Sequence, residues 1–206
     1  MEGTNPVNKK LAAALSGGAV LILALSGCGG GGKDNKELDA WAKKVCDLVP
    51  AQNQKITAAY DAITKAAEDT ESTPAELQKA DSQAFQDLSD GYKARATVIS
   101  NAGAPPGAED GAKKLQEAVK QLTALSTSYA DMKKQVDGLN TKDQAKFATG
   151  LKDVSAEMNK VETQRQTALA ALKNLESGDT KTALSQQSGC KQASTSPVAS
   201  ASATDS

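Results

Sequence analysis

The sequence predicts an all-α fold: an antiparallel up-down bundle of about four long helices, with a flexible tether before it and a disordered tail behind it. Three observations carry this. Aromatic residues make up only 3% of the 206-residue chain while Ala, Gln, Lys, Ser, Thr and Leu dominate, so the core must come from small aliphatic side chains on helices. Apolar residues recur three or four apart through four long stretches. The breaks between those stretches are short, which favours antiparallel neighbours.

The first stretch, residues 35–68, places Leu38, Trp41, Val45, Leu48, Ile56, Tyr60 and Ile63 on one face of a helix. Pro50 lies inside it and lacks a backbone donor, so a kink is expected, or a short helix followed by a second. Thr73, Pro74 and Glu76 then form a helix start of cap residue, first-position proline and returning glutamate. Leu77, Phe85, Leu88, Tyr92, Val98 and Ile99 carry that helix to the NAGAPPG segment at 101–107, where glycine and proline end it. A third helix, from about Ala108 to Gly138, shows Leu115, Val119, Leu122, Leu125, Tyr129, Met132 and Val136 at near-heptad spacing. Thr141 with Gln144 reads as a second capping box, opening a helix to about Glu176 with Phe147, Leu151, Val154, Met158, Val161, Leu169, Leu172 and Leu175 as its stripe. Residues 180–188 are expected to add one last turn. From Lys191 onward the chain is Ser, Ala and Thr with almost no core former, which predicts disorder.

Ahead of the bundle lies a different kind of segment. Lys9 and Lys10 precede an apolar run at 11–25 (LAAALSGGAVLILAL), and Leu25-Ser26-Gly27-Cys28 follows at once. This is the layout of a signal peptide. The run is roughly 15 residues and is interrupted by Gly17-Gly18, short of the ~20 needed to cross a bilayer as a helix. The tetrapeptide resembles the bacterial lipobox, in which a leucine and two small residues precede the cysteine that receives diacylglycerol before signal-peptidase cleavage. That resemblance covers the leader alone. It implies that Leu25, Ser26 and Gly27 are read by the peptidase and that Cys28 becomes the lipidated first residue. Several acyl chains on one cysteine would anchor stably, whereas a single chain binds only marginally. The GGGG that follows at 29–32 is a flexible spacer. Leader and spacer together resemble, in style and composition, those of small lipoproteins of Gram-positive actinobacteria. The chain therefore divides into a leader (1–27), a lipid-bearing cysteine and tether (28–34), a helical domain (35–190) and a tail (191–206).

Two further cysteines, Cys46 and Cys190, sit near the two ends of the folded region of a chain bound for an oxidising compartment. A disulfide is expected, and closing so long a loop is worth roughly 4 to 5 kcal/mol in the chain-entropy model. A redox pair or a two-thiolate metal site is the alternative, but CxxC spacing and a histidine to complete a zinc shell are both missing.

Charge and composition narrow the chemistry. Removal of the leader takes away Glu2, Lys9 and Lys10, leaving 22 basic and 24 acidic side chains, a net of −2. Such a balance offers no field to gather nucleic acid. The chain has no histidine, which removes the commonest general base and zinc ligand. Glu68, Asp69, Glu71, Glu109 and Asp110 lack the spacing of a calcium loop and read as solvated surface. A GxSxG elbow is absent, serine-lysine catalysis has no support, and no metal or cofactor is expected beyond lipid on Cys28.

Two features stay open between function and packing. Trp41 either lines a ligand cleft or packs in the core beside the disulfide. Tyr60, Tyr92 and Tyr129 either line a polar pocket or sit at core edges with their hydroxyls in water. Altogether the sequence points to a non-catalytic lipoprotein on the outer face of the cytoplasmic membrane, held there by its lipid, with an envelope protein or polymer as partner. A small-molecule or lipid carrier, with a cavity left by Ala84, Ala118 and Ala168, is the alternative, and an envelope hydrolase the third reading. Oligomeric state is open, since the heptad-like third and fourth helices either bury one another or pair with a second copy.

Overall fold

The computed structural model describes residues 35–195, with side chains to Lys191, and these form an all-α bundle without strands. Four long helices follow one another: α1 (Lys36–Glu68), α2 (Pro74–Ala102), α3 (Gly111–Asp137) and α4 (Gln144–Leu175). Two short ones, α5 (Asp179–Gln186) and α6 (Ser188–Thr195), return to pack on α1. Cross-helix pairs show the antiparallel order. Gln78 reaches the Val136 carbonyl and Ser89 the Ser126 carbonyl between α2 and α3, while Ser128 meets Gln164 between α3 and α4. Neighbours in sequence pack along their lengths, whereas α1 and α4 approach each other less closely.

Each helix start has a local cause. The Asn35 side chain accepts the Leu38 amide at 3.2 Å, and Thr73 and Glu76 form the expected reciprocal cap, with the Thr73 amide donating to Glu76 at 2.9 Å. The Thr141 box does not form. Asp143 caps α4 instead, accepting the Lys146 amide at 3.1 Å, because the chain is still turning at Thr141 and only at Asp143 does the extended backbone of a cap occur. α3 begins at Gly111 rather than Ala108, since Asp110 adopts a left-handed φ of 53° that no α-helix continues through.

Pro50 does not divide α1, which runs 33 residues through it. The missing donor frees the carbonyl of Cys46, one turn back. Gly189 of α6 lies against that same carbonyl, so closely that a β-carbon there would collide with it. Burial on both sides of the proline, at Val45 and Cys46 and again at Ile56 and Ala59, outweighs a lost bond. Leu48 departs from the expected stripe and is 49% exposed. At 100° per residue it falls roughly 80° from the Leu38–Ile56 line, and no other described element covers that margin.

The main core joins all four long helices around Phe85, Leu88, Leu122, Leu125, Met132 and Leu172. Leu115, Val119 and Leu169 are only partly buried, while Ala118, Ala168 and Ala171 take the inward places. A second, smaller cluster lies at the N-terminal end of α1, where Leu38, Trp41, Ala42 and Val45 meet Ala183 and Leu184. The Cys46–Cys190 disulfide closes this cluster, with a Cα separation of 5.0 Å. The expected last turn is thus two helices, and α6 extends to Thr195, past the point where the tail was expected to be disordered. Residues 196–206 lie outside the described part of the chain.

Candidate functional site

Midway along the bundle the apolar stripes carry polar groups, and these meet in the interior. Tyr60 comes from α1, Tyr92 from α2 and Tyr129 from α3. The Tyr60 hydroxyl lies 3.1 Å from that of Tyr92 and 2.6 Å from that of Tyr129. The Tyr92 and Tyr129 rings are stacked with centroids 5.6 Å apart, and Tyr60 meets Tyr129 edge-on at 6.3 Å. These hydroxyls bond to one another, one phenol from each of three helices, and Tyr92 and Tyr129 are buried, which corrects the core-edge reading for those two; Tyr60 is partly exposed. Burial, then the neighbouring phenols, pushes Tyr60 well above the usual tyrosine range. Burial also raises Tyr92 and Tyr129. All three remain protonated at neutral pH and cannot act there as bases.

Arg165 of α4 spans the wider seam to α1, its guanidinium 5.9 Å from the centre of the Tyr60 ring. It is 4% exposed. Its Nε and Nη2 grip the two carboxylate oxygens of Glu162 side-on, each at 2.6 Å. Burial opposes its charge, but this hydrogen-bonded carboxylate more than compensates and holds its pKa above the ordinary arginine value.

Arg95 of α2 is the other interior cation, 7% exposed, and its surroundings differ. Nη1 donates to the Asn53 side-chain oxygen at 2.9 Å, a neutral partner on α1. Nε is buried with no hydrogen-bond partner among the described residues. Among the described residues no carboxylate stands within ion-pair distance of it. Glu176, the C-cap residue of α4, is the acid that feels Arg95: burial raises its pKa and the guanidinium draws it back down. One turn before Arg95, a methyl group added at Gly91 would stand 2.7 Å from Ile56 Cγ1, so the Ile56 side chain of α1 packs directly on the α2 backbone beside it.

Other predicted site residues fall elsewhere. Trp41 is 5% exposed in the second core, with its indole N–H donating to the Gly103 carbonyl at 2.8 Å, so its ring presents no open face. Cys46 and Cys190 are joined. Leu25, Ser26, Gly27 and Cys28 lie outside the described residues. Ala84, Ala118 and Ala168 are all interior, within the main core. Glu68, Asp69, Glu71, Glu109 and Asp110 are exposed, and Asp69 caps the turn after α1 by accepting the Glu71 and Ser72 amides. A Ser-x-x-Lys spacing does occur at Ser188 and Lys191, but both are exposed and the cysteine between them is bonded to α1. Among the described residues no group of three or more Cys, Asp or Glu converges to hold a metal ion, and no helix is long and apolar enough to cross a membrane.

Arg95 and Arg165 were not singled out from the sequence, although a signal existed. They are the chain's two arginines among 24 basic residues, and each stands on an apolar stripe, Arg95 three residues after Tyr92 and Arg165 four after Val161. Lysine, a compact and strongly hydrated charge, fills the surface, and arginine is used where a charge must enter the interior. No family model, no curated protein and no solved structure matches the chain.

Proposed function

We propose that the chain is a lipoprotein anchored to the outer face of the cytoplasmic membrane, its bundle a non-catalytic binding or structural module of the cell envelope. The observation that carries this reading is Leu25-Ser26-Gly27-Cys28 placed directly after a lysine-led apolar run. The disulfide supports it, because such a bond persists where the cytosolic thiol pool does not reach. The phenol cluster and the two interior guanidiniums support a binding role: they offer hydrogen bonds and positive charge, and neither a protonated phenol nor a guanidinium is a nucleophile at neutral pH.

Intact mass of protein taken from membranes tests the anchor. The expected result is a chain beginning at Cys28 with a lipid-sized increment, which Cys28→Ala abolishes together with membrane retention. A full-length or unlipidated mature chain would overturn the anchor. Turnover of an envelope substrate, lost on a single interior substitution, would overturn the non-catalytic reading.

A further inference from the structure

We propose that the free side-on edge of Arg95 binds the carboxylate group of a small monoanionic ligand at the junction of α1, α2 and the C-terminus of α4. The molecule itself shows what such an edge holds. Arg165 presents Nε and Nη2 to Glu162, two parallel bonds of 2.6 Å to one carboxylate. Arg95 presents the same edge, with Nη1 turned away to Asn53 and Nε buried without a partner. A buried donor left unpaired is costly, more so on a charged group, and native interiors rarely retain one without a use.

The helix that carries Arg95 offers no acid at the positions that reach it. Three and four residues before it stand Tyr92 and Gly91; three and four after it stand Val98 and Ile99. Arg165, by contrast, finds Glu162 three residues earlier on its own helix. Gly91 lets the Ile56 side chain of α1 lie directly on the α2 backbone one turn away, so the two helices pack closely beside the edge. One positive charge with Glu176 nearby suits a monoanion better than a phosphate dianion, whose second charge would meet that carboxyl. The planar guanidinium fork matches a planar carboxylate in both spacing and direction.

This inference rests on the binding reading above but not on the lipid anchor, so either can fail alone. The chain's two arginines make the test direct, because an Nε–H spectrum of the full-length ¹⁵N-labelled protein contains two arginine signals. Arg95→Lys identifies the Arg95 signal, and a retained Arg165 signal reports that the fold survives. Acetate and benzoate are titrated in, with chloride and inorganic phosphate at matched ionic strength as comparators. The expected result is a saturable shift of the Arg95 signal with the carboxylates alone, the Arg165 signal unmoved. Benzoate affinity followed by tryptophan fluorescence or calorimetry should weaken about tenfold in Arg95→Lys, which keeps the charge but loses the fork. Absence of any saturable shift overturns the proposal, and so does a chloride shift of equal size, which would be mere screening. Tighter response to phosphate overturns the carboxylate assignment. An Arg95 signal already carrying a carboxylate bond that Glu176→Gln removes would show that Glu176 fills the edge.

Discussion

Arg165 and Arg95 occupy two sides of the same bundle interior, and they solve the burial of a positive charge differently. Arg165 has a carboxylate from its own helix, an aromatic face from α1 and 4% exposure. Arg95 has one amide oxygen, an unpaired Nε and 7% exposure. The first arrangement is complete within the fold, and the second is complete only with something added. Burial alone therefore does not mark a polar residue as structural; the state of its partners does. Asp81 makes a third member of the series, since it is buried at 6% exposure and burial is the cause of its shift. A carboxyl can discard its charge by taking a proton, which a guanidinium cannot.

That difference sets the largest expected effect. The Asp81 carboxyl is pushed up to about 7, from 3.8 in the unfolded chain. Between those values the native state holds the proton that the unfolded state has released, so stability declines as pH rises across that window and levels off above it. The decline is on the order of 4 kcal/mol, and Asp81→Asn should flatten it, as read by denaturant unfolding at a series of pH values. A profile unchanged by that substitution would mean that Asp81 has a charged partner in solution and belongs with Arg165.

Glu162→Gln converts the complete arginine into an incomplete one. Loss of about 2 kcal/mol is expected, below the range for fully buried pairs because the Glu162 side chain remains 28% exposed. Tyr129→Phe removes one hydroxyl from the phenol cluster and should cost about 1 kcal/mol, leaving Tyr60 bonded to Tyr92. Smallest is Arg95→Met, which fills the same space without charge: unfolding in ligand-free buffer should stay within about 1 kcal/mol of the parent, with a gain as the favoured direction. A loss like that of Glu162→Gln would break the contrast and place a hidden counter-charge at Arg95.

How much of this was legible in the sequence follows from what each signal depends on. The four stripes were readable because helix periodicity is local, and the Thr73-Pro74-Glu76 start formed as its residues dictate. Leu48 and Thr141 failed for a shared reason: whether a stripe edge is covered, and which of several polar residues becomes the cap, depends on where the chain turns next. Pro50 points to a kink or a divided helix because a lost backbone bond is visible in sequence, while the apolar burial that outweighs it depends on α2 packing at Ile56 and Ala59 and on α5 returning to Val45 from more than a hundred residues away. The tyrosines were recognised as stripe members, but their convergence needs three helices in register. The arginines were missed because lysine and arginine were counted together as surface charge.

The disulfide also determines how the molecule would carry a load. Cys46 and Cys190 are 144 residues apart, so every residue of α2, α3 and α4 lies inside the covalent loop. Tension applied between the two ends of the chain runs along the opening turns of α1, across the sulfur atoms and out through α6. The bundle hangs beside this path and not within it. Only after reduction does the loop join the line of force, and it then pays out roughly 500 Å of slack at about 3.5 Å per residue.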